Sequence, residues 1–460
     1  MKYKASRFNY TAPLDEDSYV WMNGVSGGAF KVNREIHAQV QAILADPNHC
    51  ATEQEYSLRD QLVSLGFLVE ETFDEIGFLK LKSRIARYGN EALGLGIMLT
   101  LNCNFACPYC YQSRVNKCLS PEIQQAIVQY VSRTMEYKRR LVIEWFGGEP
   151  LLGISEIKRL SEEFLRICEK QGAQYEAGII TNGYLLSESV AAELSRLGVK
   201  SVQVTIDGPP DIHNKRRILR DGRPTFDVIL KNLEGAVKYI PSVGVRVNLD
   251  KTNSDRFPEL LSYLTPLKEH LLIGLAPVVP VQDAQSYHRF CFLQSCDYLQ
   301  VICRLEQLLQ STGFISLNTG HAADCRWKTA TAVFCGAYQL DSNIIDPEGH
   351  LYKCVALAGK TSTKVGTLSP SGEISYDWSR LLPWLIWEPF EDPVCSNCPE
   401  LPLCLGGCHL GRLYPGSQGF YTNRVGLPCP LEVREDLTNR LRVKYSTPCH
   451  TNMGSIGRTS

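Results

Sequence analysis

The chain lacks any apolar run long enough to cross a membrane: none of its 460 residues falls in a stretch approaching the ~20 apolar residues that a spanning helix needs. The start, Met1-Lys2-Tyr3-Lys4 followed by the polar residues 9–17, holds no apolar signal region, so the sequence predicts a cytoplasmic protein. An excess of one charge is missing too. Lys plus Arg number 48 against 49 Asp plus Glu, which argues against nucleic acid or an anionic membrane surface as a partner. No internal repeat marks a solenoid.

Cysteine, by contrast, is abundant. There are 18, and reducing conditions keep such residues as thiols or metal ligands rather than bridges. Cys103, Cys107 and Cys110 form one group, in Cys-Asn-Phe-Ala-Cys-Pro-Tyr-Cys. A second group comprises Cys325, Cys335, Cys354, Cys395, Cys398, Cys404, Cys408 and Cys429. The other seven, Cys50, Cys118, Cys168, Cys291, Cys296, Cys303 and Cys449, read mostly as small buried hydrophobes. Three thiolates on one short loop can hold three corners of a cubic iron-sulfur cluster and leave the fourth iron open. Three clustered cysteines cannot pair among themselves as disulfides. A structural zinc site needs a fourth ligand, and no histidine lies near the loop.

At this length two or three domains are expected. Residues 1–90 read as a small module, with a hairpin signal at Asn23-Gly24 and Gly27-Gly28 and helix-spaced apolar residues over 35–44 and 55–65. From 91 to 310 apolar strand candidates at 93–101, 141–146, 177–181, 201–206, 244–249 and 271–276 alternate with helix candidates near 120–136, 154–171, 187–197, 225–239 and 255–267. That alternation predicts parallel strands with crossover helices, with the chemistry at the strands' C-terminal ends. Residues 320–440 are rich in Pro, Gly and Cys with weak periodicity, as expected where metal ligation replaces a hydrophobic core. The tail 446–460 has little to bury and reads as mobile.

The cysteine triplet with Tyr109 before its last member resembles the signature of radical S-adenosylmethionine (radical SAM) enzymes. The resemblance extends to Gly147-Gly148-Glu149-Pro150 after the strand at 141–146, to Asn182 after the next strand, to Thr205 in Thr-Ile-Asp-Gly-Pro, and to Arg217 in the run from His213. It implies an α/β fold with a partial (β/α)6 TIM-like barrel, a [4Fe-4S] cluster on the triplet, and S-adenosylmethionine bound by these residues. Arg217 is the candidate for the cofactor's carboxylate, and Glu149 for its ammonium. The later cysteines resemble the SPASM extension, which implies two auxiliary [4Fe-4S] clusters. Cys335, Cys354 and Cys408 belong to the first, with Cys325 as a possible fourth ligand; Cys395, Cys398, Cys404 and Cys429 belong to the second.

Enzymes of this layout mostly modify peptides. The first 90 residues resemble the winged-helix-like leader-recognition module of enzymes that mature ribosomally made peptides. The implied activity is oxidation of a precursor peptide, by a thioether or carbon-carbon crosslink, with a flavodoxin or ferredoxin as electron donor. Sulfatase maturases place Asp after the cysteine matching Cys354, whereas this chain has Val355. A sulfatase-maturase-like or small-molecule radical SAM oxidase and a non-catalytic, zinc-stabilised binding protein are the alternative readings. No catalytic base is distinguished by the sequence.

Overall fold

The computed structural model describes residues 1–89, 91–112, 115–278, 295–317 and 332–413. Cys325, Cys429 and the tail 446–460 lie outside the described residues.

The N-terminal residues fold into β1 (Tyr3–Ala5), β2 (Asn9–Pro13), β3 (Ser18–Asn23), β4 (Ala29–Asn33), α1 (Arg34–Ala45), α2 (Glu53–Ser64), β5 (Leu68–Glu70) and α3 (Glu75–Tyr88). Strands β2, β3 and β4 make an antiparallel sheet, and β1 pairs with β5. Local signals set the helix ends. Asn33 caps α1, Thr52 and Glu55 form a capping box on α2, and Gly66 at φ +79° turns the chain out of α2, the left-handed position that favours glycine.

Helix α3, absent from the sequence-based expectation, inverts the usual pattern. Its buried residues are Glu75, Leu79, Ser83 and Arg87. Its large apolar side chains Leu81, Ile85 and Tyr88 face outward. The buried charged groups find partners: Ser6 and the Arg7 N–H donate to Glu75, and Arg87 donates to the carbonyls of Leu385 and Trp387, its Nε alone lacking a partner among the described residues. These bonds hold α3 to the C-terminal region. Phe8 and Leu79 complete the contact by packing with Phe390, Leu401 and Leu405, so the N-terminal unit is docked on the cysteine-rich segment and does not stand apart from it.

The central region alternates strand and helix through β6 (Ala92–Met98), α4 (Pro121–Thr134), β7 (Arg140–Phe146), α5 (Ile154–Gln171), β8 (Gln174–Thr181), α6 (Glu188–Arg196), β9 (Val199–Thr205), α7 (Pro210–Arg216), α8 (Phe226–Ala236), β10 (Ser242–Leu249), α9 (Phe257–Leu264), β11 (Leu271–Pro277), α10 (Ser295–Thr312) and β12 (Ile315–Ser316). Each strand from β6 to β12 pairs in parallel with the next. Side chains from one strand face and from α4, α5, α6, α8, α9 and α10 merge into one core, built on residues such as Leu95, Ile143, Ile179 and Val204.

The sheet does not end at β6. Strands β13 (Ser342–Ile345), β14 (His350–Tyr352), β15 (Gly366–Leu368) and β16 (Ile374–Tyr376) extend it to eleven strands, β13 parallel to β6 and the rest antiparallel. This corrects the expectation that metal ligation replaces a core there. Tyr338, Ile345, Leu351, Leu368, Leu381 and Trp384 are buried in the same core as the barrel, because β13 joins the sheet edge beside β6. Among the described residues no helix is long and apolar enough to cross a membrane.

Candidate active site

The cysteine loop leaves the end of β6 and is clamped at base and crest. At its base the Leu101 N–H donates to the Lys117 carbonyl (2.9 Å) and the Leu119 N–H to that of Leu99 (2.8 Å). At its crest the Ala106 N–H donates to the Ile218 carbonyl (2.8 Å), and the Arg220 N–H to that of Asn104 (3.0 Å). Phe105 is buried beneath, edge-on to Tyr184. The clamped loop carries Cys107 buried and Cys103 and Cys110 half-buried. Burial pushes the Cys103 thiol up and that of Cys107 to about 11; the charges of the neighbouring cysteines add to this, and the Arg217 guanidinium opposes it.

After β7 the backbone of Gly147 and Gly148 packs directly on this loop. Gly147 sits at φ +141°, and a Cβ there would strike the Thr100 carbonyl; one on Gly148 would strike that of Asn102. The Gly148 N–H donates to Thr100 (2.8 Å) and the Glu149 N–H to Asn102 (2.9 Å). Pro150 opens a short 3-10 turn. Glu149 is fully buried, and its carboxylate accepts from the Thr181 hydroxyl (2.6 Å) and the N–H groups of Asn182 (2.8 Å) and Leu151 (3.0 Å). Burial lifts its pKa while these bonds lower it. In this arrangement Glu149 fastens the end of β7 to the end of β8. The Asn182 side-chain amide donates to Asn104 (2.7 Å) and lies 3.8 Å from Cys103 Sγ.

A buried ionic network, not foreseen from the sequence, joins the loop to the ends of β9 and β10. Asp207, fully buried, accepts from the Tyr109 hydroxyl, from Arg216 Nε (3.3 Å) and from the Asn248 N–H (3.1 Å). Arg216 also donates to Asp250 (2.6 Å). Burial works against the charge on Asp207, yet Arg216 and Arg217 hold its pKa below the ordinary carboxylate value. Arg217 donates to the Tyr109 hydroxyl (2.8 Å), and its buried Nε has no hydrogen-bond partner among the described residues. Thr205, buried, ends β9 two residues before Asp207. The only available signal was Asp207 within an Asp-Gly-Pro turn sequence, since Arg216, Asn248 and Asp250 meet it through the fold.

Cys335, Cys354 and Cys408 come close enough to feel each other's charge: desolvation by the surrounding protein pushes Cys354 to about 12 and Cys335, although its surface is exposed, to about 11, and Cys408 adds to both. The Lys353 ammonium donates to the carbonyls of Gln339 (2.6 Å) and Ser342 beside them. Cys395 and Cys398 share a tight turn, the Cys398 N–H donating to the Cys395 carbonyl (3.0 Å). From Cys404 to Cys408 the chain passes through three successive left-handed residues, Leu405, Gly406 and Gly407. Elsewhere Cys168 is buried as expected, whereas Cys50 is half-buried and Cys118 exposed.

Residues 97–264 match the family model of the Radical SAM superfamily. Over 258 residues, half of this chain, the sequence is 22% identical to the radical SAM cyclopropyl synthase TigE of Paramaledivibacter caminithermalis, of which the match covers 53%. It is 24% identical over 329 residues, 69% of this chain, to the mycofactocin maturase MftC of Mycolicibacterium smegmatis, covering 78% of that protein. The chain spans about half the length of several curated relatives that it matches. The fold is similar to that of native anSMEcpe with bound AdoMet and Kp18Cys peptide, at a TM-score of 0.59 and 19% identity over 76% of this chain and 98% of that one. It is also similar to Streptococcus suis SuiB bound to the precursor peptide SuiA, at a TM-score of 0.50 and 14% identity over 94% and 100%.

Proposed function

With a radical SAM domain over residues 97–264 as the premise, we propose that the chain is an enzyme that oxidatively modifies a ribosomally made precursor peptide. The domain implies S-adenosylmethionine and a [4Fe-4S] cluster, which when bound supply a 5′-deoxyadenosyl radical able to remove a hydrogen atom from an unactivated carbon. The observation that carries the reading is the cysteine loop clamped against Gly147–Glu149 with the Arg217 guanidinium beside it.

The residues present fit these groups. Cys103, Cys107 and Cys110 would hold the cluster, being three soft donors on one fixed loop. The only His, Cys, Asp and Glu set among the described residues whose ligand atoms all lie within 4.8 Å of one another is Asp346, Glu348 and His350. The loop thiols are therefore spread wider than the S···S separation of about 3.8 Å that a tetrahedral zinc with bonds of ~2.3 Å requires. Arg217, a buried cation whose Nε–H has no partner among the described residues, suits a carboxylate acceptor such as the methionine end of the cofactor. Asn182, Thr205 and the Gly147–Pro150 backbone surround the same strand ends and would contact the nucleoside and its amino group. Tyr109, tied to Asp207, would keep the loop from moving as the cofactor binds.

Cys335, Cys354 and Cys408, with Cys395, Cys398 and Cys404, would hold two auxiliary clusters in a SPASM-like domain over 320–440, Cys325 and Cys429 completing the sets. Such clusters suit a net oxidation, because they accept the electron that the substrate gives up. Residues 1–90 would bind the precursor's leader as an added strand on their small sheet, and a flavodoxin or ferredoxin would supply the reducing electron. Peptide substrates are supported by two relatives, the maturase MftC and SuiB bound to its precursor peptide. A thioether or carbon-carbon crosslink is the favoured product.

The test is to co-express the chain with the short open reading frames flanking its gene and weigh each peptide product. A precursor that loses two hydrogens, with Cys107→Ala abolishing the loss, supports the proposal. Unchanged peptides, in a chain that holds zinc and no acid-labile sulfide, would favour the metal-stabilised binding protein instead.

A further inference from the structure

Alternate residues of the barrel strands point inward, away from the helix-covered core. Glycine occupies five of these positions, Gly94 and Gly96 on β6, Gly178 on β8, Gly244 on β10 and Gly274 on β11, while the residues between them are buried in the outer core. A strand glycine leaves room for something to approach the sheet. Parallel register sets Gly96, Glu144 and Gly178 in one row. One row nearer the C-terminal ends come Ile180, Gln203, Gly244 and Leu272, two residues or about 7 Å higher.

The upper row is open and largely apolar. Ile180 is 38% exposed, and Leu317, 42% exposed, lies over Gly244 and Gly274. Below it stands Glu144, a single acidic residue in the apolar strand β7. Its two carboxylate oxygens lie over Gly178, where Ser201 Oγ also approaches. Among the described residues it makes no hydrogen bond and no ion pair. The neighbours facing it, Gly96 on β6, Gly178 on β8 and Ser201 on β9, bring no titratable group. Below it on the same face Arg140 and Glu176 pair with each other (2.7 Å), and Arg246, a row above the apolar one, donates to Asn248 (2.9 Å). Burial alone moves the Glu144 carboxyl to about 7.

A half-buried carboxylate without a partner costs the fold free energy, and a ligand that neutralises it recovers that cost. A neutral donor leaves the charge uncompensated. A metal ion would want further anionic ligands, and the row offers glycines and a serine. We infer that Glu144 anchors a cationic side chain, lysine or arginine, of the peptide substrate, its aliphatic stem lying along Ile180 and Leu317 and its head on the carboxylate. A long side chain with a charged tip matches an apolar wall that ends in an acid. The inference rests on the peptide reading above and names the substrate class at the barrel floor.

The test uses the full chain and two small probes of similar shape, n-butylguanidinium and neutral pentanamide, with the thermal midpoint as readout. A saturable rise with the cation and none with the amide is expected at pH 8, with a weaker effect at pH 6, where Glu144 is largely protonated. Glu144→Gln should weaken cation binding by about tenfold or more. Glu144→Asp, which keeps the charge, should preserve the preference for the cation. Equal responses of wild type and Glu144→Gln, equal responses to both probes, or no saturable shift would each overturn the inference. Neither probe involves radical chemistry, so a chain that binds the cation but releases no 5′-deoxyadenosine would contradict only the catalytic proposal, and the reverse result only this one.

Discussion

The Tyr109 hydroxyl donates to Asp207 and accepts from Arg217 at 2.8 Å, so the residue before the last cysteine of the loop is fastened to the turn after β9. Tyr109→Phe removes both bonds and leaves a buried anion and a buried cation each short of a partner. Its unfolding midpoint in urea should fall by the equivalent of about 1–3 kcal/mol with an unchanged slope. The same variant should lose iron to a chelator faster than wild type, which a merely distant defect would not produce.

His213 is fully buried, and burial together with Arg217 lowers its pKa to about 3. Its Nδ1 accepts the Asp207 N–H, which places the proton on Nε2, toward Thr225. A histidine whose folded pKa is depressed leaves stability intact above the unfolded value of about 6.5 and removes it as pH falls from there toward 3, because the unfolded chain takes up a proton that the folded chain refuses. His213→Gln should therefore show a flatter decline in stability between pH 6.5 and pH 4 than wild type. Parallel curves would contradict the buried neutral imidazole.

Helix α3 gives a contrast between neighbouring positions. Leu81 and Ile85 are 58% and 63% exposed, while Leu79 is 1% exposed. Leu81→Lys and Ile85→Lys should each change stability by no more than about 0.5 kcal/mol, whereas Leu79→Ala should cost about 2–5 kcal/mol. Chemical denaturation of the three variants checks this, and a large loss at Ile85 would mean that the outward face is covered.

Gly406 and Gly222 both sit at positive φ, +81° and +83°. A Cβ at Gly222 meets nothing within 4 Å, whereas one at Gly406 strikes the Trp387 ring. Gly222→Ala should cost only the backbone strain, about 1 kcal/mol. Gly406→Ala should cost clearly more and disturb the Cys404–Cys408 turn, seen as lost iron binding in the C-terminal region.

Much of the barrel was legible because the strands are rich in apolar and β-branched residues and the crossover helices are strongly amphipathic. The strand at 141–146 differs from β7 only by Arg140, and the helix predicted over 154–171 coincides with α5. What escaped depended on distant partners. β13 is four residues long and pairs with β6, a strand far earlier in the chain. The facing of α3 is not readable from spacing: its apolar stripe of Phe78, Leu81, Ile85 and Tyr88 faces outward while Glu75 and Arg87 face in. The cysteine loop announced itself by spacing, but the network around Asp207 is assembled from four separate segments. Glu144 did leave a local signal, a carboxylate inside an otherwise apolar strand, that periodicity alone assigns no role.

The most direct measurement is release of 5′-deoxyadenosine from S-adenosylmethionine by the anaerobically reconstituted chain under a strong reductant, alongside iron and acid-labile sulfide content. The expected result is nucleoside release that Cys103→Ala, Cys107→Ala and Cys110→Ala each abolish, with about four irons lost from the chain in each variant. No release from a chain carrying its full iron and sulfide, or release that survives loss of any of these three thiols, would contradict the assignment of the loop.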